Sequence, residues 1–195
     1  MSEAGQTPLH REIGACRHCV ELLPHEPRPV VHFSETSRLV IVGQAPGSKV
    51  HSSGIPWDDE SGDRLREWTG LSRACFYDPA RVALVPMGFC YPGKGKGGDL
   101  PPRKECAPLW HERVLAALPS DTVFLLVGSH AQKYYLPRPA PRSMTEAVRG
   151  FTDHGPRLFP LPHPAWRARL WMQANPWFES DVLPQLRAVV AEAVS

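Results

Sequence analysis

Arg38-Leu39-Val40-Ile41-Val42-Gly43-Gln44-Ala45-Pro46-Gly47 is the stretch from which the fold can be read. A short, unbroken aliphatic run closed by glycine and proline suits a strand buried on both faces of a parallel sheet, because both alternating sets of side chains must then be apolar. Three further runs repeat the pattern at residues 82–85, 122–128 and 157–161. Between and around them the apolar spacing predicts helices over 9–15, 61–68, 103–118 and 129–135, and a last one from 176 or 177 to 194. Pro184 falls inside that last segment and is expected to break or kink it. Strands alternating with helices predict an α/β fold, a three-layer α/β/α sandwich around a four-stranded, mostly parallel sheet.

The chain has 195 residues, 42% hydrophobic and 22% charged. That composition supports one packed core, so a single domain over residues 1–195 is expected, with the N-terminal segment to about residue 35 packed on it. No apolar run approaches the roughly 18 residues that a membrane helix needs. The first residues, with Glu3, His10, Arg11 and Glu12, lack the apolar core of a signal peptide. A cytoplasmic protein is therefore expected, acting as a monomer and without a membrane partner. Prolines 24, 27 and 29, and 137, 139 and 141, mark two stiff loops; no repeat or low-complexity tract interrupts the pattern.

In that compartment disulfides are rare, and cysteines more often hold metals or do chemistry. The five here are Cys16, Cys19, Cys75, Cys90 and Cys106. Cys16 and Cys19 form a CxxC pair, and with the more widely spread Cys90 and Cys106 they make four ligands and leave Cys75 over. Tetrahedral zinc and a four-cysteine iron–sulfur cluster both accept such a set. A zinc ribbon usually carries two CxxC knuckles, so the spread second pair favours the cluster.

In an open parallel sheet, ligands bind beyond the carboxyl ends of the strands. After the first strand stands the glycine-rich turn Gly43–Gly47, with an amide side chain at Gln44. After the second, residues 87–100 carry five glycines and two lysines, Lys94 and Lys96, a composition that lets a phosphate backbone approach. The spacing is not that of a phosphate-binding P-loop. After the fourth, His163 is set between Pro162 and Pro164 on a stiff backbone, followed by Trp166, Arg167, Arg169 and Leu170. Basic groups at one sheet edge point to a polyanion, although the net charge is only +2.

These motifs resemble those of the uracil-DNA glycosylase superfamily, and most closely its iron–sulfur-containing family 4 and family 5 branches in bacteria and archaea. Gly43–Gly47 matches the GxxPG motif after the first strand, and His163-Pro164-Ala165 matches the HP[SA] motif after the last. Cys16, Cys19, Cys90 and Cys106 match the cluster ligands in order and approximate spacing, which implies a [4Fe-4S] cluster, with zinc as the alternative. The resemblance implies a DNA repair glycosylase, working at the bacterial nucleoid, that flips a damaged base out of single- or double-stranded DNA and hydrolyses its N-glycosidic bond. His163 and the backbone amides near Gln44 and Ala45 are then the catalytic groups that meet negative charge on the leaving base. Gly43, Gln44, Trp57, Met87 and His163 would bind the base, Trp57 standing where relatives have an aromatic in GxPF. Lys94, Lys96, Trp166, Arg167 and Arg169 would bind DNA, with Trp166, Arg167 and Leu170 placed to plug the vacated stack or grip phosphates.

Two departures bear on the chemistry. Relatives that activate water with Asp or Asn in the first motif have Ala45 here, leaving Asp58, Asp59 and Asp63 as neighbouring carboxylates. Relatives that read uracil with an asparagine on the second strand have Val85-Pro86-Met87-Gly88 here. Uracil is the default base, and another deaminated or damaged base is the alternative. A binding relative without hydrolysis, and more distantly a zinc-stabilised nucleotide hydrolase, are the competing classes.

Overall fold

A computed structural model describes residues 7–139 and 141–195; Glu3 and the rest of the leading six residues of the expected N-terminal segment lie outside that range. The central sheet consists of β1 (Leu39–Val42), β2 (Val82–Leu84), β5 (Val123–Val127) and β6 (Leu158–Leu161) in the order β2-β1-β5-β6, every pair parallel. A separate antiparallel hairpin, β3 (Lys94–Gly95) with β4 (Gly98–Asp99), projects from the loop after β2. The helices are α1 (Pro8–Gly14), α2 (Ser48–Ser53), α3 (Glu60–Thr69), α4 (Arg73–Phe76), α5 (Cys106–Ala116), α6 (Ser129–Tyr135), α7 (Met144–Arg149), α8 (Ala168–Ala174) and α9 (Leu183–Ala193).

The unbroken apolar strands divide between two cores because successive side chains leave opposite faces. Leu39 and Ile41 point with Leu65 and Trp68 of α3 and Leu186 and Val190 of α9 into one core. Val40 and Val42 point with Trp110 and Val114 of α5 and Ala131 of α6 into the other. The expected three-layer sandwich is the result. From β1 the chain runs outward to β2 on one side and later to β5 and β6 on the other, so the strand order reverses between β1 and β5. That crevice is where an open α/β sheet takes its ligand.

Pro184 breaks nothing. It occupies the first turn of α9, where its missing N–H has no intrahelical acceptor to lose, and a π-helical turn at Phe178–Val182 leads into it. The segment expected as one helix is therefore two joined pieces. The short helices α2, α4, α7 and α8 and the hairpin carry too few periodic residues for the spacing to announce them.

The N-terminal segment is part of the packed domain. Thr7 and His10 form a capping box on α1, His10 stacks on Phe33 with centroids 3.9 Å apart, and Arg113 of α5 donates to Glu12 at 2.8 Å. Ile13, 1% exposed, enters the second core. Ile13→Ala is expected to destabilise the whole domain by about 2–5 kcal/mol, the range for deleting a buried aliphatic side chain, in one cooperative urea transition. A transition that stays at the wild-type midpoint would show instead that the segment only rests on the surface.

Candidate active site

A cleft of about 500 Å³ opens beyond the carboxyl ends of β1 and β6. It brings together Gly43, Gln44, Ala45, Trp57, His163, Trp166 and Arg167, residues drawn from three separate loops. Lys94, Lys96 and Arg169 are exposed outside its walls, although Gly97, Gly98 and Asp99 of the hairpin that carries both lysines line it. Met87 does not face the cleft. Its side chain is buried in the second core, and its N–H donates to the Gly43 carbonyl at 2.9 Å, so it braces the turn rather than touching a ligand.

Trp57 is held with unusual force. Its φ of +56° is the left-handed conformation, and it is the one non-glycine residue among those described to adopt a positive φ. Tyr77 donates its hydroxyl to the Trp57 carbonyl at 3.1 Å, and Arg66 donates to the same oxygen at 3.5 Å. Arg66 is itself buried, paired with Asp63 at 2.5 Å and lying over the rings of Phe76 and Tyr77. Two glycines make the room: a Cβ on Gly62 would fall 1.8 Å from the Trp57 carbonyl oxygen, and one on Gly43 would fall 2.6 Å from the indole. Strain retained in this way, with several groups enforcing it, is characteristic of a functional position.

His163 follows β6, with its ring centroid 6.0 Å from that of Trp57. Arg64 of α3 donates to the carbonyls of Pro164 (2.9 Å) and Ala165 (2.8 Å), which pins the loop behind the imidazole. Gly128, at the end of β5, leaves space in front: a Cβ there would touch the His163 Cβ at 3.4 Å. Burial lowers the His163 pKa, opposed by the negative charge of Asp59, so the imidazole is neutral near neutral pH.

The neighbouring carboxylates separate cleanly. Asp58 pairs with Arg73 at 3.0 Å and Asp63 with Arg66, whereas Asp59 lines the cleft with one oxygen accepting the Gly62 N–H at 2.9 Å as the cap of α3. Asp99, which the sequence reading passed over, is a second carboxylate in the wall; the Tyr91 hydroxyl donates to it at 3.3 Å. Arg64 and Arg66 were passed over as well. Nothing in the spacing marks Arg64, because its partners at Pro164 and Ala165 lie about a hundred residues away, and Arg66 reads as no more than an i,i+3 partner of Asp63 until Trp57 and Tyr77 are packed against it.

Over residues 85–88, just after β2, the backbone has no donor to offer a ligand. Val85, Met87 and Gly88 donate to Ile41, Gly43 and Gln44 at 2.9–3.0 Å, and Pro86 has no N–H. The Pro86 carbonyl is held at 3.0 Å by His111 Nε2, whose Nδ1 meets the Tyr135 hydroxyl at 2.5 Å. A carbonyl can only accept, so His111 carries its proton on Nε2. Burial pushes its pKa down to about 4.

At the carboxyl-end rim, Trp166 is 70% and Leu170 63% exposed, with the Arg167 guanidinium 5.1 Å above the Trp166 ring.

On the other side of the loop after β2, a smaller cavity of about 20 Å³ is lined by Cys16, Cys19, Cys90 and Cys106, together with Arg103 and Trp110. Cys75 is elsewhere, on α4. All five are free thiols. Burial pushes Cys90 up to about 11 and Cys106 up to about 12, and raises Cys19. Among the described residues no three His, Cys, Asp or Glu side chains form a set that could hold a single metal ion; the four cysteines surround a space instead. No helix among these residues is long and apolar enough to cross a membrane.

The family model of the uracil DNA glycosylase superfamily matches residues 30–187, which takes in the whole sheet and every wall of the cleft.

The charge of Asp59 on His163 can be measured directly. In an NMR titration His163 is expected to take up its proton below the usual histidine value of 6.5, and in Asp59→Asn lower still, because the stabilising anion is gone. A His163 titration that is unmoved or raised in the variant would remove Asp59 from the electrostatics of the site.

Proposed function

The chain belongs to the uracil DNA glycosylase superfamily, and from that premise we propose that it is a DNA repair hydrolase which flips a deaminated or damaged base, uracil by default, into this cleft and cuts its N-glycosidic bond. The observation that carries the reading is the meeting of the Gly43–Gly47 turn, a strained Trp57 and a loop-pinned His163 in one cleft at the sheet's switch point. Bond cleavage leaves positive charge on the sugar and negative charge on the departing base. A neutral His163 donates an N–H to a base oxygen, and the amides at Gln44 and Ala45 donate beside it, so the charge forms against donors already in place. Trp57 stacks on the flipped base. Its enforced backbone keeps the indole from collapsing into the cleft before a base arrives.

Water activation falls to Asp59, since Ala45 has no carboxylate and Asp58 and Asp63 are engaged by arginines. With the backbone donors of residues 85–88 committed, reading of the base edge falls to the Gln44 side chain and the turn. Outside the cleft, Trp166 and Leu170 are the wedge that fills the vacated stack, and Lys94, Lys96, Arg167 and Arg169 grip the flanking phosphates.

The four cysteines Cys16, Cys19, Cys90 and Cys106 lining one cavity support the reading that they hold a [4Fe-4S] cluster, as in the iron–sulfur branches. Four thiols with one CxxC and a spread second pair, lining one cavity, suit a cluster better than a zinc ribbon with two CxxC knuckles. When bound, the cluster supplies thiolate cross-links between the N-terminal segment and the loop after β2. Thiols held neutral by burial would ionise against that cationic core, as coordinated thiols do.

The test is incubation of native protein with oligonucleotides that each carry one uracil, hypoxanthine, xanthine or other lesion, followed by alkaline cleavage at abasic sites. Release from at least one substrate is expected, with His163→Ala slower by well over tenfold and Trp57→Ala also impaired. Firm DNA binding with no release from any member of the panel would establish a binding relative instead.

A further inference from the structure

Two polar atoms beside the cysteine cavity are buried without a match. Nε of Arg103 and Oε2 of Glu105 have no hydrogen-bond partner among the described residues. Their other atoms pair, Nη2 to Oε1 at 3.0 Å, with the side chains 31% and 26% exposed. Because Arg103 lines the cavity with the four cysteines, the ion pair holds a guanidinium at its wall. A buried guanidinium N–H without an acceptor is unfavourable, and the cavity is where an acceptor can be added.

The thiols already have donors. Phe89 N–H donates to Cys106 Sγ at 3.3 Å, the Arg28 backbone acts on Cys90, and the Arg103 guanidinium acts on Cys19 against a larger opposing charge from Glu105. The first two are neutral amides, and Arg103 is the charged one. Arg17 also acts on Cys90 through its charge, but it is exposed, where water screens it.

We propose that Arg103 sets the charge balance of a four-cysteine cluster in this cavity, favouring its reduced state through a cationic hydrogen bond to a ligand sulfur, an inference that rests on reading Cys16, Cys19, Cys90 and Cys106 as the ligands. Four thiolates leave such a cluster with net negative charge, and each added electron deepens it. A cation at the sulfurs makes that addition easier, since net charge and hydrogen bonding to the sulfurs are the protein's main levers on the potential. Glu105 anchors the guanidinium, and its own charge acts in the opposite sense.

Full-length protein prepared anaerobically, with Arg103→Gln, Arg103→Lys and Glu105→Gln variants, is assayed for iron and acid-labile sulfide and titrated by dye-mediated reduction followed by EPR. At a fixed solution potential, the ratio of reduced to oxidised cluster in Arg103→Gln is expected to fall about tenfold, a midpoint about 59 mV more negative for one electron. Arg103→Lys, which keeps the charge, stays nearer the wild type, and Glu105→Gln moves to more positive potential. Loaded Arg103→Gln and Glu105→Gln that both titrate with the wild type would overturn the proposal. If Arg103→Gln takes up no cluster, Glu105→Gln decides alone, a positive shift supporting it and no shift overturning it. Wild-type protein without iron and sulfide would overturn the cluster reading and this proposal together, a result separate from an unmoved potential.

Discussion

A strand with both faces buried can carry no chemistry along its length. Leu39–Val42 has all four side chains buried, two in each core, and the central sheet repeats that condition in Val82–Leu84. Every side chain that can hydrogen-bond or ionise is thereby displaced from these strands to the loops and helices around them. Parallel pairing then sends the following loop of each strand to the same end, so the Gly43 turn, the Pro86 loop, Gly128 and His163 meet without any local signal bringing them together. The cleft is a consequence of the sheet's burial as much as of its own residues.

Within that cleft, the absence of side chains does as much positioning as their presence. Gly43 and Gly62 are sites of close approach, where Trp57 occupies the volume that a Cβ would need. The left-handed Trp57 backbone persists because its carbonyl is bonded by both Tyr77 and Arg66, and Arg66 is in turn fixed by Asp63 and two aromatic faces. His163 is fixed by other means, a Pro162–Pro164 frame and two hydrogen bonds from Arg64. Each clamp includes an arginine of α3, Arg66 beside Tyr77 for the indole and Arg64 for the imidazole loop. One helix therefore sets the indole and the imidazole relative to each other, and its N-cap, Asp59, is the carboxylate that faces them.

The sheet was legible because its signal is local: four apolar runs, each long enough to be a strand and too short to be a helix. The motif residues at the strand ends were legible for the same reason, and the cleft does unite Gly43, Gln44, Ala45, Trp57 and His163. What the sequence concealed is long-range. Arg64 looks like an ordinary helix-surface arginine until Pro164 and Ala165 arrive against it, and Arg103 looks like a basic loop residue until the cysteines surround it. Met87 shows the converse error, since a residue adjacent to a functional loop in sequence can still turn its side chain into the core. Asp99 escaped notice because a two-residue strand in a glycine-rich loop has no periodicity to read.

The cleft and the cysteine cavity share one loop, and this makes them mechanically one structure. Cys90 and Cys106 bracket the segment that contains the hairpin, and the hairpin's Gly97, Gly98 and Asp99 form a wall of the cleft. The N-terminal segment braces the same loop from outside. A Cβ on Gly93 would fall 2.8 Å from Pro24, and Arg28 donates to the carbonyls of His51 and Ser52 at the end of α2, the helix that the Gly43–Gly47 turn starts. A glycine-rich loop of this length, left free, loses much conformational entropy when it orders on a ligand. A cluster held by the proposed ligands would tie both ends at one cavity and remove that cost in advance, giving the four cysteines a bearing on a cleft that none of them lines.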